Sequence, residues 1–282
     1  MENMSIGTKG NLWVPRFRSN ASALLRLFCL PYAGGGAAVY RTWGDVLPRS
    51  VEVCPVQLPG REMRLKERAF SSVFPLVEAM APALVPLLDK PFVLFGHSMG
   101  ALVAFELANR LRRDHNLLPE VLFVSARVAP SAELRRGPLS KLPDDELMEE
   151  ILGLNGTDKN LLDHKELLRL TLPTLRADLA LHEDYKYSEE PPPLQCPIVA
   201  FGGLRDPKID AEGLEGWRNH TSSSFARRLL AGDHFFISAP HSSFLNVFAL
   251  ELQRVVATLG SRSVPAHLSK ETPETLYPSR QR

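Results

Sequence analysis

The stretch Pro91-Phe-Val-Leu-Phe95-Gly96-His97-Ser98-Met99-Gly100-Ala-Leu102-Val103 decides how this chain is read. Phe92–Phe95 is a short, continuously apolar run closed by proline on one side and glycine on the other. That combination predicts a strand buried on both faces of a sheet. After Gly100, Leu102, Val103, Phe105 and Leu107 recur at helical spacing and the pattern ends on Arg110, Arg112 and Arg113, so a helix over about 99–113 is predicted. Between strand and helix stands a turn whose apex is serine, with glycine two positions away on either side. Such a turn strains the serine and projects its hydroxyl above the sheet. The helix starting there aims free N–H groups at any oxyanion that forms beside it. Ser98 is the candidate nucleophile, and the Met99 N–H is a candidate oxyanion donor.

Outward from this turn, five more apolar runs read as strands: Leu24–Leu30, Val51–Gln57, Val121–Ser125, Ile198–Gly202 and Phe225–Leu230. Helical patterns fall between them at about 71–88, 209–219 and 241–259. Strand and helix in alternation predict an α/β fold, a mostly parallel sheet flanked by helices. The stretch 133–190 breaks the rhythm with three amphipathic patterns, Asp144–Leu152, Asp158–Leu168 and Pro173–Glu183, and no strand. It is read as a helical lid insertion within one domain over 21–260. Residues 1–20 and 261–282 are polar and proline- or glycine-containing, without apolar periodicity, and are expected to be poorly ordered.

Composition narrows the function. Of 282 residues, 44% are apolar, which supports a sizeable core, and 33 Lys plus Arg against 32 Asp plus Glu leave a net charge of +1. A chain so balanced has no bulk basic surface for nucleic acid. No run of about 18 apolar residues escapes a charge or a proline, so no membrane-spanning helix is expected. Cys29, Cys54 and Cys196 are odd in number, lack metal spacing and sit in or beside apolar runs. They read as buried, reduced thiols, which implies a cytoplasmic protein. No cofactor signature and no metal-ligand spacing occur, so neither cofactor nor metal is expected. A monomer is expected.

A serine hydroxyl needs a base, and the base needs a third group to hold it. In this architecture the order along the chain is serine, acid, histidine. Asp206 follows the run Ile198–Gly202 and His234 follows Phe225–Leu230, so both lie past carboxyl ends of strands, on the edge that carries Ser98. Asp210 and Asp233 are weaker candidates for the acid. Among the other histidines His241 is the serious rival, since His97 lies inside the turn, His115 and His220 end helices, His164 and His182 fall in the insert, and His267 lies in the tail. The glycine cluster of Pro31-Tyr32-Ala33-Gly34-Gly35-Gly36 follows the first strand, where such folds supply a second oxyanion N–H. Ala33 is the choice for that donor, with Tyr32 as the rival. Arg61 and Glu62 read equally well as a charged surface turn or as part of the pocket edge.

Together, Leu30-Pro-Tyr-Ala-Gly-Gly-Gly36, Leu58-Pro-Gly-Arg-Glu62, Gly96-His-Ser-Met-Gly100, Leu175-Arg-Ala-Asp178, the Gly202-Gly-x-x-Asp206 turn and His234-Phe-Phe236 resemble the type II thioesterases. These are the stand-alone editing enzymes of polyketide and non-ribosomal peptide synthesis, and the animal medium-chain fatty-acyl thioesterase is similar in pattern. The resemblance spans roughly residues 24–259. It implies an α/β-hydrolase fold, with Ser98, Asp206 and His234 at the positions of the family's triad. It also implies hydrolysis of acyl thioesters from the phosphopantetheine arm of acyl or peptidyl carrier proteins, as in antibiotic biosynthesis. Asp233 departs from the family, which often has glycine there. Lys141, Lys159, Lys165 and Arg169 give the insert a basic character that suits docking of an acidic carrier or a plain solvated face. A carboxylesterase acting on free esters is the competing activity, since the triad does not distinguish the two.

Overall fold

In a computed structural model that describes residues 11–15, 20, 22–132, 137–152, 165–238 and 243–262, the chain alternates strands and helices. The strands are β1 (Leu25–Leu30), β2 (Val51–Pro55), β3 (Phe92–His97), β4 (Leu122–Ser125), β5 (Ile198–Gly203) and β6 (Phe225–Leu230). The α-helices are α1 (Trp43–Val46), α2 (Val73–Leu84), α3 (Met99–His115), α4 (Asp144–Leu152), α5 (Lys165–Glu183), α6 (Ala211–Glu215) and α7 (Phe244–Arg262). All six predicted strands are present, with ends shifted by at most two residues. The sheet order is β2-β1-β3-β4-β5-β6, every pair parallel.

That order has one reversal. The chain steps from β1 outward to β2, then crosses back to β3 on the other side of β1. The loops leaving β1 and β3 therefore diverge at the same edge and leave a crevice outside the carboxyl ends of the strands. The glycine cluster after β1 and Ser98 after β3 border it.

Continuous apolar strands follow from burial on both faces. Phe28, Leu30, Leu94 and Val124 pack under α2 and α3, while their neighbours Leu27, Cys29, Val93 and Phe123 pack under α1 and α7. Trp43, Phe95, Phe244 and Phe248 form an aromatic cluster in the second layer, with ring centroids 5.1–5.7 Å apart. All three cysteines are free and buried. Among the described residues no helix is long and apolar enough to cross a membrane.

The insert differs from its sequence reading. Helix α4 matches its predicted bounds. Residues 158–164 of the pattern over Asp158–Leu168 lie outside the described residues, and Lys165–Leu168 belong to α5, which continues through Pro173. Proline there is a residue inside the helix and not its start. It removes one donor, from the bond that would reach the carbonyl of residue 169, and the remaining turns carry the helix past it. Leu147, Leu172 and Leu179 form a small apolar cluster of the insert itself, against which Ala33 also packs.

The expected poor order at the N-terminus does not hold for residues 11–15. Trp13 is buried, its ring lies 4.3 Å from the Arg64 guanidinium carbon, and its carbonyl accepts the Gln57 N–H at 2.7 Å. The Trp13 ring, the packing of Val14 and the bond from the Asn11 side chain to the Ala83 carbonyl together seat this short segment. At the other end, Ser261 and Arg262 complete α7, and residues 263–282 lie outside the described residues.

Candidate active site

Ser98 carries φ 53° and ψ −116°, a conformation non-glycine residues rarely adopt. The surrounding packing enforces it. A Cβ placed on Gly100 would lie 2.2 Å from the Leu30 carbonyl oxygen, so α3 starts in contact with the end of β1, and only glycine fits. The Ser98 N–H donates to the Ser125 carbonyl at 2.8 Å, which ties the turn to β4.

His234 follows β6 and Asp206 follows β5, as the sequence predicted. The two loops are held against each other by Arg205 N–H to Gly232 O at 2.9 Å and Leu204 N–H to Leu230 O at 2.8 Å. Gly203 permits this approach, since a Cβ there would meet the Asp233 carbonyl oxygen at 2.4 Å. As a result His234 Nε2 lies 3.1 Å from Ser98 Oγ, and His234 Nδ1 lies 2.7 Å from Asp206 Oδ2. The other carboxylate oxygen, Asp206 Oδ1, accepts the Lys208 N–H at 2.9 Å. A carboxylate accepts only, so the imidazole proton sits on Nδ1 and the Nε2 lone pair faces the serine hydroxyl. His234 is buried and the Asp206 side chain is fully so, which keeps competing water away from their bond.

The rival residues are placed elsewhere. Asp210 caps α6, accepting the Gly213 N–H at 2.7 Å, and Asp233 accepts the Phe235 N–H at 3.0 Å. His220 pairs with Ser131 Oγ, and His241 lies outside the described residues. His97 is fully buried beneath His234. Its Nε2 lies 2.9 Å from the His234 carbonyl oxygen and its Nδ1 2.9 Å from Ser125 Oγ. Burial, together with the neighbouring His234, holds its pKa well below the ordinary histidine range, so the ring is neutral. A carbonyl cannot donate, which puts the proton on Nε2. His97 thus props the backbone of His234 from below.

Of the two oxyanion candidates, Met99 opens α3 and Ala33 precedes Gly34, which takes φ 76°. Among the described residues neither N–H meets an acceptor within the protein.

Sequence reasoning left Arg61 undecided. The structure buries it in a pair with Asp178 of α5: Nη1 to Oδ2 and Nη2 to Oδ1, both at 2.7 Å, with the side chains 8% and 2% exposed. Arg61 Nη1 also donates to the Gly35 carbonyl at 2.9 Å, and Asp178 Oδ2 accepts the Gly34 N–H at 2.8 Å. One fork-to-carboxylate contact therefore joins the insert, the loop after β2 and the glycine cluster. Glu62 takes φ 48° and its Oε1 accepts the Ala38 N–H at 3.1 Å. Lys141 is exposed, while Lys159 and the side chains of Lys165 and Arg169 lie outside the described residues.

Ser98 and His234 open onto a chamber of about 530 Å³ between the strand ends and α5. Ala126, Val128, Leu139, Pro207 and Ile209 supply apolar wall. Arg127, His182 and Lys208 also line it. Sequence reasoning passed over Arg127. The available signal was its place, two residues past the carboxyl end of a strand at the ligand edge of the sheet. Among the described residues no cluster of His, Cys, Asp or Glu could hold a metal ion.

With this geometry in place, the chain can be set beside known proteins. The sequence profile of the thioesterase domain family matches residues 25–248. The gramicidin S biosynthesis protein GrsT of Aneurinibacillus migulanus is 39% identical over 254 residues, covering 90% of this chain and 99% of that protein. The medium-chain S-acyl fatty acid synthase thioesterase of Rattus norvegicus is 33% identical over 225 residues, covering 78% and 84%. Among solved structures, RedJ, a thioesterase from the prodiginine biosynthetic pathway of Streptomyces coelicolor, is 43% identical. It superposes with a TM-score of 0.75 over 83% of this chain and 92% of its own.

Proposed function

The chain belongs to the thioesterase family, and on that premise we propose that Ser98, His234 and Asp206 hydrolyse acyl thioesters carried on phosphopantetheine. The observation that carries the proposal is the single imidazole bridging Ser98 Oγ and Asp206 Oδ2. His234 Nε2 takes the hydroxyl proton as Oγ bonds to the thioester carbonyl carbon. The carbonyl oxygen becomes an oxyanion, and the N–H groups of Met99 and Ala33 are assigned to it. Collapse of that intermediate breaks the C–S bond, and His234 returns its proton to the departing sulfur. Water then enters and gives a proton to Nε2 as it attacks the acyl carbon; collapse of this second intermediate breaks the bond to Ser98 Oγ, Nε2 returns that proton to Oγ, and the carboxylic acid leaves. Asp206 holds the tautomer and stabilises the imidazolium between these transfers.

The relatives favour one setting. GrsT and RedJ are named for peptide and prodiginine biosynthesis, so the substrates proposed here are acyl or peptidyl groups on carrier proteins. The role is that of a type II thioesterase, which clears misprimed or stalled chains. The insert, α4 and α5, is the proposed lid, and the proposed location is cytoplasmic. The rat relative supports a second reading, release of medium-chain fatty acids. Hydrolysis of a panel of acyl-carrier conjugates separates the two: editing requires activity on short and functionalised acyl groups as well as on saturated ones. Ser98→Ala should lower thioester hydrolysis by about 10³-fold or more. Near wild-type turnover in that variant would remove the nucleophile from this account.

A further inference from the structure

Arg127 is a buried cation. It is 8% exposed, it lines the chamber beside Ser98, and among the described residues no carboxylate lies within ion-pair distance. Its Nε has no hydrogen-bond partner, and neither has the buried Nδ1 of His182 on α5, a residue that lines the same chamber. Of the other buried arginines, Arg61 has its fork filled by Asp178 and Arg64 bonds to Glu67 and the Gln57 carbonyl. A guanidinium taken from water without compensation is expensive and is retained where something else completes it. The backbone that presents it is itself strained, since the preceding Ala126 takes φ 50°.

Resting on the reading of Ser98 as the thioesterase nucleophile, we propose that Arg127, with His182 beside it, binds an oxygen of the acyl chain. The substrates it favours carry a carbonyl or carboxylate beyond the thioester carbonyl. The apolar wall of Ala126, Val128, Pro207 and Ile209 takes the methylene part of such a chain, and the guanidinium takes the acceptor. Burial lowers the Arg127 pKa to about 10, which leaves the group charged at neutral pH. His182 is pushed to about 3 by burial and by Arg127 and Lys208, so it meets the substrate as a neutral imidazole. A fully saturated acyl group entering the chamber leaves the guanidinium unanswered, and a site built to hydrogen-bond its ligand discriminates against the analogue that lacks the acceptor. Polyketide and peptidyl intermediates bear such oxygens, and saturated fatty acyl groups do not.

The test compares pantetheine thioesters of equal chain length: saturated, keto-bearing and terminally carboxylated. Wild-type protein should favour the oxygenated members in kcat/KM by about 10- to 100-fold. Arg127→Met, similar in length and apolar, should erase that ratio, and Arg127→Lys, which keeps the charge but loses the fork, should fall between them. Thermal unfolding checks that each variant is folded, and Arg127→Lys carries the test if the methionine variant is not. Equal loss on all three acyl groups, or no preference in the wild type, overturns the proposal. So does a dependence on Arg127 that follows the thiol arm, seen by exchanging pantetheine for N-acetylcysteamine with the acyl group held constant. A wild type that hydrolyses none of the thioesters would instead sink the thioesterase reading itself.

Discussion

Asp178→Asn tests whether the insert sets the oxyanion loop. The substitution keeps the size of the side chain and removes its charge, so Arg61 keeps a buried guanidinium with a neutral partner. The pair is bidentate, at 2.7 Å on both arms, and almost wholly excluded from solvent. Breaking a buried pair from one side destabilises by about 3–5 kcal/mol. Because Asn retains one acceptor oxygen, the low end is expected, with Tm lower by about 6–12 °C in a domain of this size. The effect on rate is separate. Asp178 Oδ2 accepts the Gly34 N–H at 2.8 Å, immediately beside Ala33. An amide donor presented to a charged oxygen is held more firmly than one presented to a neutral oxygen. Complete loss of one oxyanion donor lowers kcat by about 10²–10³-fold, so a displaced one should lower it by about 10- to 100-fold, with KM changing less. The informative control is the double variant Arg61→Met with Asp178→Leu. Apolar replacement of both partners restores much of the stability, but it also removes the anchors of Gly34 and Gly35, so kcat should stay low. The assay is steady-state hydrolysis of one acyl-pantetheine alongside thermal unfolding. If Asp178→Asn retains kcat within twofold, or if the double variant regains kcat together with Tm, the pair acts on stability alone and the coupling argued here is wrong.

Two further outcomes follow from the same geometry. Gly100→Ala should destabilise the chain by several kcal/mol or prevent folding, because its Cβ would sit 2.2 Å from a backbone carbonyl that cannot yield; soluble protein with an unchanged melting temperature would contradict the close approach of α3 to β1. Acid should weaken the fold ahead of carboxylate titration. His97 is held well below the ordinary histidine range by burial and by His234, and His182 is pushed to about 3 by burial and by nearby cations. In the unfolded chain both take protons below about pH 6.5 while the folded chain stays neutral, so stability is full above that value and declines as pH falls, by up to about 1.4 kcal/mol per histidine per pH unit. The decline continues toward about pH 3 for His182, where the folded protein is protonated too. Urea midpoints that coincide at pH 7.5 and pH 5.0 would contradict this.

The inner strands β3, β4 and β5 were legible because burial on both faces leaves unbroken apolar runs, whereas β1, β2 and the edge strand β6 carry Arg26, Glu52 and Arg227 with Arg228 within mostly apolar stretches. Ser98, Asp206 and His234 were legible for a related reason: each stands immediately past a strand, and parallel strands bring their carboxyl ends to one edge. The insert was less legible. Helix α5 runs through a proline that sequence reading takes as a boundary, because the penalty for one missing N–H is local whereas packing of Leu172 and Leu179 against Leu147 is shared over several turns. Trp13 escaped notice because the apolar stretch Leu12-Trp13-Val14 is too short to show a period. Arg61 and Arg127 escaped for another reason. Charged residues are read as surface by default, and the neighbours of each lie far away in sequence: Asp178, 117 positions on, for Arg61, and His182 and Tyr185 for Arg127.

Arg61 and Arg127, both buried, divide the site's requirements between them. Arg61 is satisfied within the protein, and what it satisfies, Asp178 and the carbonyl of Gly35, belongs to the insert and the glycine-rich loop proposed to supply an oxyanion N–H. That contact must already exist in the free enzyme if the Ala33 N–H is to be in place when the thioester arrives. Among the described residues Arg127 has no ion pair and its Nε no partner, and on the proposal above its completion waits for a substrate. Preorganisation suits the oxyanion, whose geometry is the same for every acyl group. An open donor suits the acyl chain, which differs from one substrate to the next. A thioesterase that edits many chains needs the first kind of contact to be rigid and the second to be conditional, and the partners of these two side chains meet both needs at one edge of the sheet.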